Sequence, residues 1–174
     1  MAQQAAAVLA AAQHDGPLRQ LLAGYAGREL TPEKRDRLMD GYRTLHAFPD
    51  VKPGLEALKA KGRVLAILSN GAPEMLQSAT RTAGIHDLLD EIISVDDIKV
   101  FKPHPRVYQL ASTRLRIAAA DIGFVSSNSW DVAGAASAGL TALWIQRAAA
   151  EPPEELGYQA ARVVHAITDL PAHI

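Results

Sequence analysis

The sequence contains no cysteine among its 174 residues. Disulfides, a thiolate nucleophile and cysteine-ligated zinc are therefore excluded, and we expect a cytoplasmic rather than a secreted protein. The 6 histidines do not stand at the spacing of a metal-binding motif such as HExxH. The sequence thus predicts neither a disulfide-stabilised fold nor a histidine-based metal site.

An excess of either charge is also absent, because 18 Lys and Arg face 19 Asp and Glu. Nucleic acids and anionic membranes attract clustered positive charge, so neither is expected as a partner. The longest apolar runs, residues 5–12 and 64–68, fall short of the ~18 to 20 residues that cross a bilayer. No basic segment precedes the alanine-rich run 5–12, so a helix is predicted there rather than a signal peptide.

The pattern of residues changes near Pro49. Residues 1–48 favour short helices, one of which should start at Thr31-Pro32-Glu33, where a capping threonine precedes a proline and an acidic residue. From Pro49 onward, helical patterns alternate with short Val-, Ile- and Leu-rich runs, which is typical of βαβ units. We therefore predict a helical segment, 1–48, and an α/β core, 49–174, built as a Rossmann-like open parallel sheet with flanking helices. The predicted strands are 63–68, 91–95, 122–126, 141–145 and an edge strand at 163–167; the predicted helices are 52–61, 73–82, 105–116 and 131–138.

Polar clusters follow three of these segments, where ligands of an open parallel sheet bind. They are Ser69-Asn70, Lys102-Pro103 and residues 126–131. Each has a simpler interpretation when taken alone. The first could be turn chemistry, Lys102 a solvated surface lysine, and Asp131 a favourable charge at a helix start, with Asn128 or Ser129 as the cap. Taken together at one edge of a sheet, they indicate a single site.

Three motifs occur in a fixed order: LSNG at 68–71, FKPxxxVY at 101–108 and FVSSNxWD at 124–131. This order resembles the type II (S)-2-haloacid dehalogenases of the haloacid dehalogenase superfamily. The resemblance extends over residues 3–174, and the third motif is the most specific. Phosphatases of the superfamily carry Gly-Asp-Ser-x-x-Asp there, whereas Ser127 replaces the first aspartate here. Because a missing carboxylate weakens a site for a hard cation, we expect no metal or other cofactor, and a phosphatase relative is the less favoured alternative.

The resemblance implies a reaction and the residues that perform it. In the family, an aspartate displaces halide from a short 2-haloalkanoate, and hydrolysis of the resulting ester gives the (R)-2-hydroxyacid. Ser69 and Asn70 would hold the substrate carboxylate, and Trp130 would line the apolar pocket. The catalytic set implied for this chain is Lys102, beside the nucleophile; Tyr108, Ser126 and Asn128, in the polar network; and Asp131, which would position water. Family members are commonly dimers, so the resemblance allows a homodimer.

The nucleophile motif of the family, Asp-x-Tyr-Gly-Thr-Leu after a buried strand, has no counterpart here. The similar sequence DGYRTL at 40–45 follows a charged, helical stretch and matches the last helix of the family's cap, so Asp40 is rejected as the nucleophile. Residues 1–48 would then be a partial all-helical cap, and the central first strand of the family would be missing. We expect the strands ending at Ser69 and Ser126 to pair directly, to accept an element from another chain, or to belong to an incomplete product. A catalytically inactive module that binds small carboxylates is the alternative function.

Overall fold

A computed structural model describes residues 6–10, 31–43, 46–147 and 156–174. The strands are β1 (Ala6–Ala10), β2 (Val64–Ser69), β3 (Glu91–Ser94), β4 (Ile122–Ser126), β5 (Thr141–Ile145) and β6 (Arg162–Val164). The α-helices are α1 (Pro32–Arg43), α2 (Val51–Ala60), α3 (Pro73–Thr82), α4 (Pro105–Leu115) and α5 (Ser129–Ser137). The chain ends in a 3₁₀ turn over Ile167–Ala172.

The strands form one parallel sheet in the order β3-β2-β1-β4-β5-β6. Every residue of β4, and every residue of β2 after Val64, is buried, as expected for strands covered by helices on both faces. The predicted open parallel sheet with flanking helices is therefore confirmed.

The expectation that the central strand is missing was wrong. β1 lies between β2 and β4, with Ala7 opposite Leu65 on one side and Gly123 on the other. The same register contradicts two predictions. β2 does not pair directly with β4, and Ala6–Ala10 forms a strand rather than part of the helix predicted at 5–12. The physical reason is that β2 and β4 both present buried backbone donors and acceptors, and satisfying them outweighs the intrinsic preference of alanine for a helix.

The segment 1–48 is consequently not wholly helical, since it contributes β1 to the core sheet. The boundary at residue 48 stays a prediction, and residues 1–5 and 11–30 lie outside the described ranges. The predicted helix start is present: the Lys34 N–H bonds to Thr31 Oγ1 at 3.4 Å, and α1 follows. Asp40 lies within α1, which agrees with its rejection as a strand-borne nucleophile.

The remaining predicted elements differ from the structure mainly at their ends. α3, β4 and β5 have the predicted bounds, whereas α5 starts two residues before the predicted 131. The edge strand predicted at 163–167 is β6, and it stops at Val164 because the chain then turns into the 3₁₀ segment Ile167–Ala172.

The side chains of the sheet divide into two apolar layers, because successive residues of a strand face opposite ways. Leu68 and Phe124 pack with Tyr108 of α4 and Val132 of α5 on one face. On the other face, the β-strand residues pack with α2 and the 3₁₀ turn; this layer comprises Leu55, Leu58, Leu65, Val125, Leu143, Ile167 and Leu170, among others. The first layer carries the polar site described below.

In the described part of the chain, no helix combines the length and the apolar character needed to cross a membrane.

Candidate active site

The site lies at the carboxyl edge of the sheet, where β2 ends at Ser69 and β4 ends at Ser126. The end of β1 stands between them, since Ala10 pairs with Leu68 and Leu9 pairs with Val125. Parallel sheets expose strand ends and helix starts at this edge, which is why polar side chains collect there.

A buried ion pair is at the centre of the site. Lys102 Nζ lies 3.0 Å from Asp131 Oδ2, and the two side chains are only 4% and 2% exposed. The Lys102 Nζ also lies 4.9 Å from the centroid of the Phe124 ring, which offers a favourable cation–π contact. Burial lowers the pKa of Lys102, and the neighbouring Asp131 carboxylate opposes that shift without cancelling it.

Asp131 collects two further hydrogen bonds. The Tyr108 hydroxyl donates to Oδ1 at 2.8 Å, and the Ser126 hydroxyl donates to Oδ2 at 3.0 Å. Asp131 belongs to the first turn of α5, where a negative charge is stabilised by the helix dipole. Burial, followed by the charge and hydrogen bond of Asp131, raises the pKa of Tyr108, so the phenol stays protonated and keeps donating.

The Tyr108 ring is fixed by packing. It is fully buried and meets the Phe124 ring edge-on, with centroids 5.6 Å apart and an interplanar angle of 85°. Phe124 thus contacts Lys102 and Tyr108, which are two of the three side chains that bond to Asp131.

The turn after β2 is connected to this network. The Gly71 N–H donates to Ser69 Oγ at 3.0 Å, and the Ser94 hydroxyl donates to the Gly71 carbonyl at 2.8 Å. The Lys102 backbone N–H donates to Asn70 Oδ1 at 2.9 Å. The first two predicted clusters are therefore joined, and the Ser69 hydroxyl takes part in the turn that the simpler interpretation invoked.

Asn128 joins the hydrogen-bond network through its backbone, whereas Trp130 stands beside it in the first turn of α5. The Asn128 N–H donates to Ser126 Oγ at 3.2 Å, so its backbone belongs to the network. Asn128 also stands at the N-cap position of α5, but its side chain makes no capping hydrogen bond. Trp130 is half-buried in the first turn of α5, and the contacts of the network described above do not include its ring. The pocket-lining role of Trp130 stays a prediction.

Three further residues contribute to the site, although the sequence predicted no role for them. They are Ser94, Phe124 and Trp144. The Trp144 indole N–H donates to the Ser127 carbonyl at 3.1 Å and so fixes the loop between Ser126 and α5. A tryptophan at the end of a predicted strand was a weak signal for this contact, because only the register of β5 beside β4 brings it to that loop.

The strand end where the family resemblance places the nucleophile carries alanine. β1 ends at Ala10, and the sequence continues Ala11-Ala12-Gln13, so no carboxylate immediately follows the strand. Asp131 is the carboxylate that Lys102 contacts, and it already accepts from three donor side chains.

Comparisons with known proteins agree with these motifs. The profile of a family described as haloacid dehalogenase-like hydrolase matches residues 4–139. The (S)-2-haloacid dehalogenase 4A of Burkholderia cepacia is 43% identical over 136 residues, which is 78% of this chain and 57% of that protein. The chain thus spans less than two thirds of the length of this curated relative.

Solved structures give the same likeness in three dimensions. The crystal structure of an L-2-haloacid dehalogenase superposes with a TM-score of 0.86 and 30% identity, covering 98% of each chain. A second, from Xanthobacter autotrophicus, was solved with chloropropionic acid covalently bound; it has a TM-score of 0.77 and 34% identity, covering 86% of this chain and 69% of that one.

Proposed function

This chain belongs to the haloacid dehalogenase-like hydrolase family, and we propose that its site takes short 2-haloalkanoic acids, as in an (S)-2-haloacid dehalogenase. The observation that carries the proposal is the buried Lys102–Asp131 pair, joined to Tyr108 and Ser126 at the carboxyl edge of the sheet. Burying two charges is costly, and such an arrangement is typical of sites where chemistry or binding requires it.

The substrate carboxylate would bind at the turn after β2. Ser69 and Asn70 stand there shortly before α3, whose N-terminal end carries a partial positive charge that favours an anion. The bond from the Lys102 N–H to Asn70 Oδ1 holds this turn against the Lys102 segment. A carboxylate at the turn would therefore lie close to the chain segment that supplies the site's cation.

The reaction of the family needs a carboxylate as nucleophile. Its oxygen forms a bond to C2 of the substrate while the carbon–halogen bond breaks, and halide leaves with the bonding electrons. Water then attacks the carbonyl carbon of the ester, which releases the 2-hydroxyacid, a proton and the regenerated carboxylate. Lys102 would stabilise the negative charge on the ester oxygen in that step, since a cation in a water-poor site acts strongly on developing charge.

Asp131 is poorly suited to be that nucleophile. It is 1% exposed, and both of its oxygens already accept hydrogen bonds. Because β1 ends in Ala10 and is followed by further alanines, we propose that this chain binds 2-haloalkanoates without turning them over. The alanines at the strand end thus favour an inactive module that binds small carboxylates over an active dehalogenase.

The test measures binding and turnover separately on the chain as it is. We expect (S)-2-chloropropionate to raise the midpoint of thermal unfolding, because a ligand that binds only the folded state stabilises it. The variant Lys102→Met should lose this stabilisation. Lys99→Met is the matched control, since Lys99 is exposed and pairs with Asp96 on the surface.

Chloride release is followed in the same samples by ion chromatography. We expect release at the rate of the buffer blank. Release above that rate, lost in Lys102→Met, would exclude the inactive module, and a turnover in ¹⁸O-water would identify the nucleophile by the carboxylate that gains the label. The absence of any stabilisation by either enantiomer would contradict the proposed ligand class, and magnesium-dependent phosphate release from a phosphomonoester would favour the phosphatase alternative.

A further inference from the structure

Gly134 of α5 lies directly against the Tyr108 side chain. A Cβ atom built at Gly134 would stand 2.4 Å from Tyr108 Oη, 2.8 Å from Cζ and 2.9 Å from Cε2. These separations are all below the closest approach that real Cβ atoms make. The hydroxyl end of Tyr108 therefore occupies the space that any other residue type at position 134 would need.

Glycine is otherwise a poor choice for this position. Gly134 is in the interior of α5, with alanine on either side in the sequence Ala133-Gly134-Ala135. Alanine favours a helix more than glycine does, because glycine loses more backbone freedom when it is fixed. The glycine costs helix stability, and in return its missing side chain leaves space for the Tyr108 hydroxyl.

The ring of Tyr108 cannot simply move aside. It is fully buried and packs edge-on against Phe124, and its hydroxyl is held by Asp131 at 2.8 Å. Since Asp131 lies three residues before Gly134, the two share one side of α5. A methyl group at position 134 would push the hydroxyl away from Asp131 before the ring found other space.

We propose that Gly134 is a positioning residue whose lack of a side chain lets the Tyr108 hydroxyl reach Asp131. Through this contact Gly134 preserves one of the three side-chain hydrogen bonds of the carboxylate that pairs with Lys102. The inference rests on the proposed function only in taking the Lys102–Asp131 pair to be the ligand site; the contact itself is independent of any ligand.

The first test reads the position of the phenol directly. The protein is labelled with ¹³Cζ-tyrosine, and the Tyr108 resonance is assigned from its loss in Tyr108→Phe. We expect Gly134→Ala to shift the Tyr108 resonance and to leave the other tyrosine resonances in place. Glu56→Ala, at an exposed position of α2, should leave all of them unchanged. An unshifted Tyr108 resonance in folded Gly134→Ala would overturn the proposal.

The second test asks whether Gly134 acts through the hydroxyl. If (S)-2-chloropropionate binds, Gly134→Ala and Tyr108→Phe should weaken binding by the same factor, because both remove the hydrogen bond that orients Asp131 beside Lys102. Combining the two substitutions should weaken it no further. An added loss in the combined variant would overturn the proposed route through Tyr108. Absence of binding in the unmodified chain would count against the proposed function and leave the resonance test to decide this inference.

A third comparison covers the case in which Gly134→Ala does not fold. In Tyr108→Leu the ring is gone, so alanine at position 134 should raise the midpoint of urea unfolding through its better helix propensity. If alanine lowers the midpoint in that background too, the clash is not with Tyr108 and the proposal fails.

Discussion

Among single residues, Asp131 organises the site more than any other described side chain. It accepts from Lys102, Tyr108 and Ser126, which come from three separate segments of the chain. The sequence motif could single out these residues, but it could not assign Asp131 to the centre, because each contact depends on how α4 and α5 are placed over β4. The same dependence explains why Phe124 and Trp144 were given no role in advance.

Removing one member of the buried pair should be far more costly than removing an exposed charge. We expect Asp131→Asn to lower the free energy of unfolding by about 3–5 kcal/mol, since it leaves the buried Lys102 without its carboxylate. Urea unfolding followed by circular dichroism measures the change. The control Asp97→Asn, which breaks an exposed pair with Arg114, should cost less than about 1 kcal/mol.

Adding Lys102→Met to Asp131→Asn should recover part of this loss, because the unpaired cation is then gone. Equal costs for Asp131→Asn and Asp97→Asn would contradict the burial of the Lys102–Asp131 pair.

Among the elements, β1 decides the architecture although its composition argues against a strand. Its sequence, AAVLA, is dominated by alanine, which prefers helices. The neighbouring strands β2 and β4 are buried runs whose backbone groups need partners on their inner sides, and β1 supplies them along its length. At β1, pairing with the two neighbouring strands therefore outweighed the preference of alanine for a helix, and the sequence predicted this strand wrongly for that reason.

The central position of β1 leads to a prediction for proline. We expect Val8→Pro to lower the free energy of unfolding by at least about 3 kcal/mol or to prevent folding, because proline removes a backbone donor in a strand paired on both sides. Val8→Ile, which keeps the N–H, is the control and should fold normally. Thermal unfolding of the two variants gives the comparison. A Val8→Pro variant as stable as the unmodified chain would restore the view that the sheet closes without this segment.

At the scale of the whole molecule, the Asp50 side chain connects segments that are distant in sequence through hydrogen bonds. It precedes α2, and its Oδ1 accepts from Arg147 at 2.5 Å while its Oδ2 accepts from the Ile167 N–H at 2.6 Å. Arg147 follows β5 and also stacks on Phe48, with its Cζ 4.1 Å from the ring centroid. The start of the core, the end of β5 and the C-terminal turn thus meet at one carboxylate.

Burial alone would raise the pKa of Asp50, but the hydrogen bonds from Arg147 and Ile167 and the charge of Arg147 hold it below its usual value of 3.8. A lowered folded-state pKa stabilises the fold above the unfolded value, and this contribution disappears as the pH falls through the folded one. Asp50→Asn should therefore lower the free energy of unfolding by about 2 kcal/mol at pH 7.

The difference between Asp50→Asn and the unmodified chain should shrink below about pH 3.8. Urea unfolding at pH 7 and at pH 3 measures both values. The control Asp87→Asn changes an exposed carboxylate outside this cluster and should show little effect at either pH. A difference for Asp50→Asn that is as large at pH 3 as at pH 7 would contradict the role of the ionised carboxylate.

The sequence by itself determined the alternation of helices and strands after Pro49, the edge of the sheet that carries the site, and most of the residues gathered there. These follow from local patterns, because hydrophobic period and turn residues act over a few positions. The tertiary structure alone decided that Ala6–Ala10 is the central strand, that Asp131 is the shared acceptor, and that Gly134 makes room for Tyr108. Each of these depends on contacts between segments far apart in the chain, where satisfying buried backbone groups and close packing outweigh local preference.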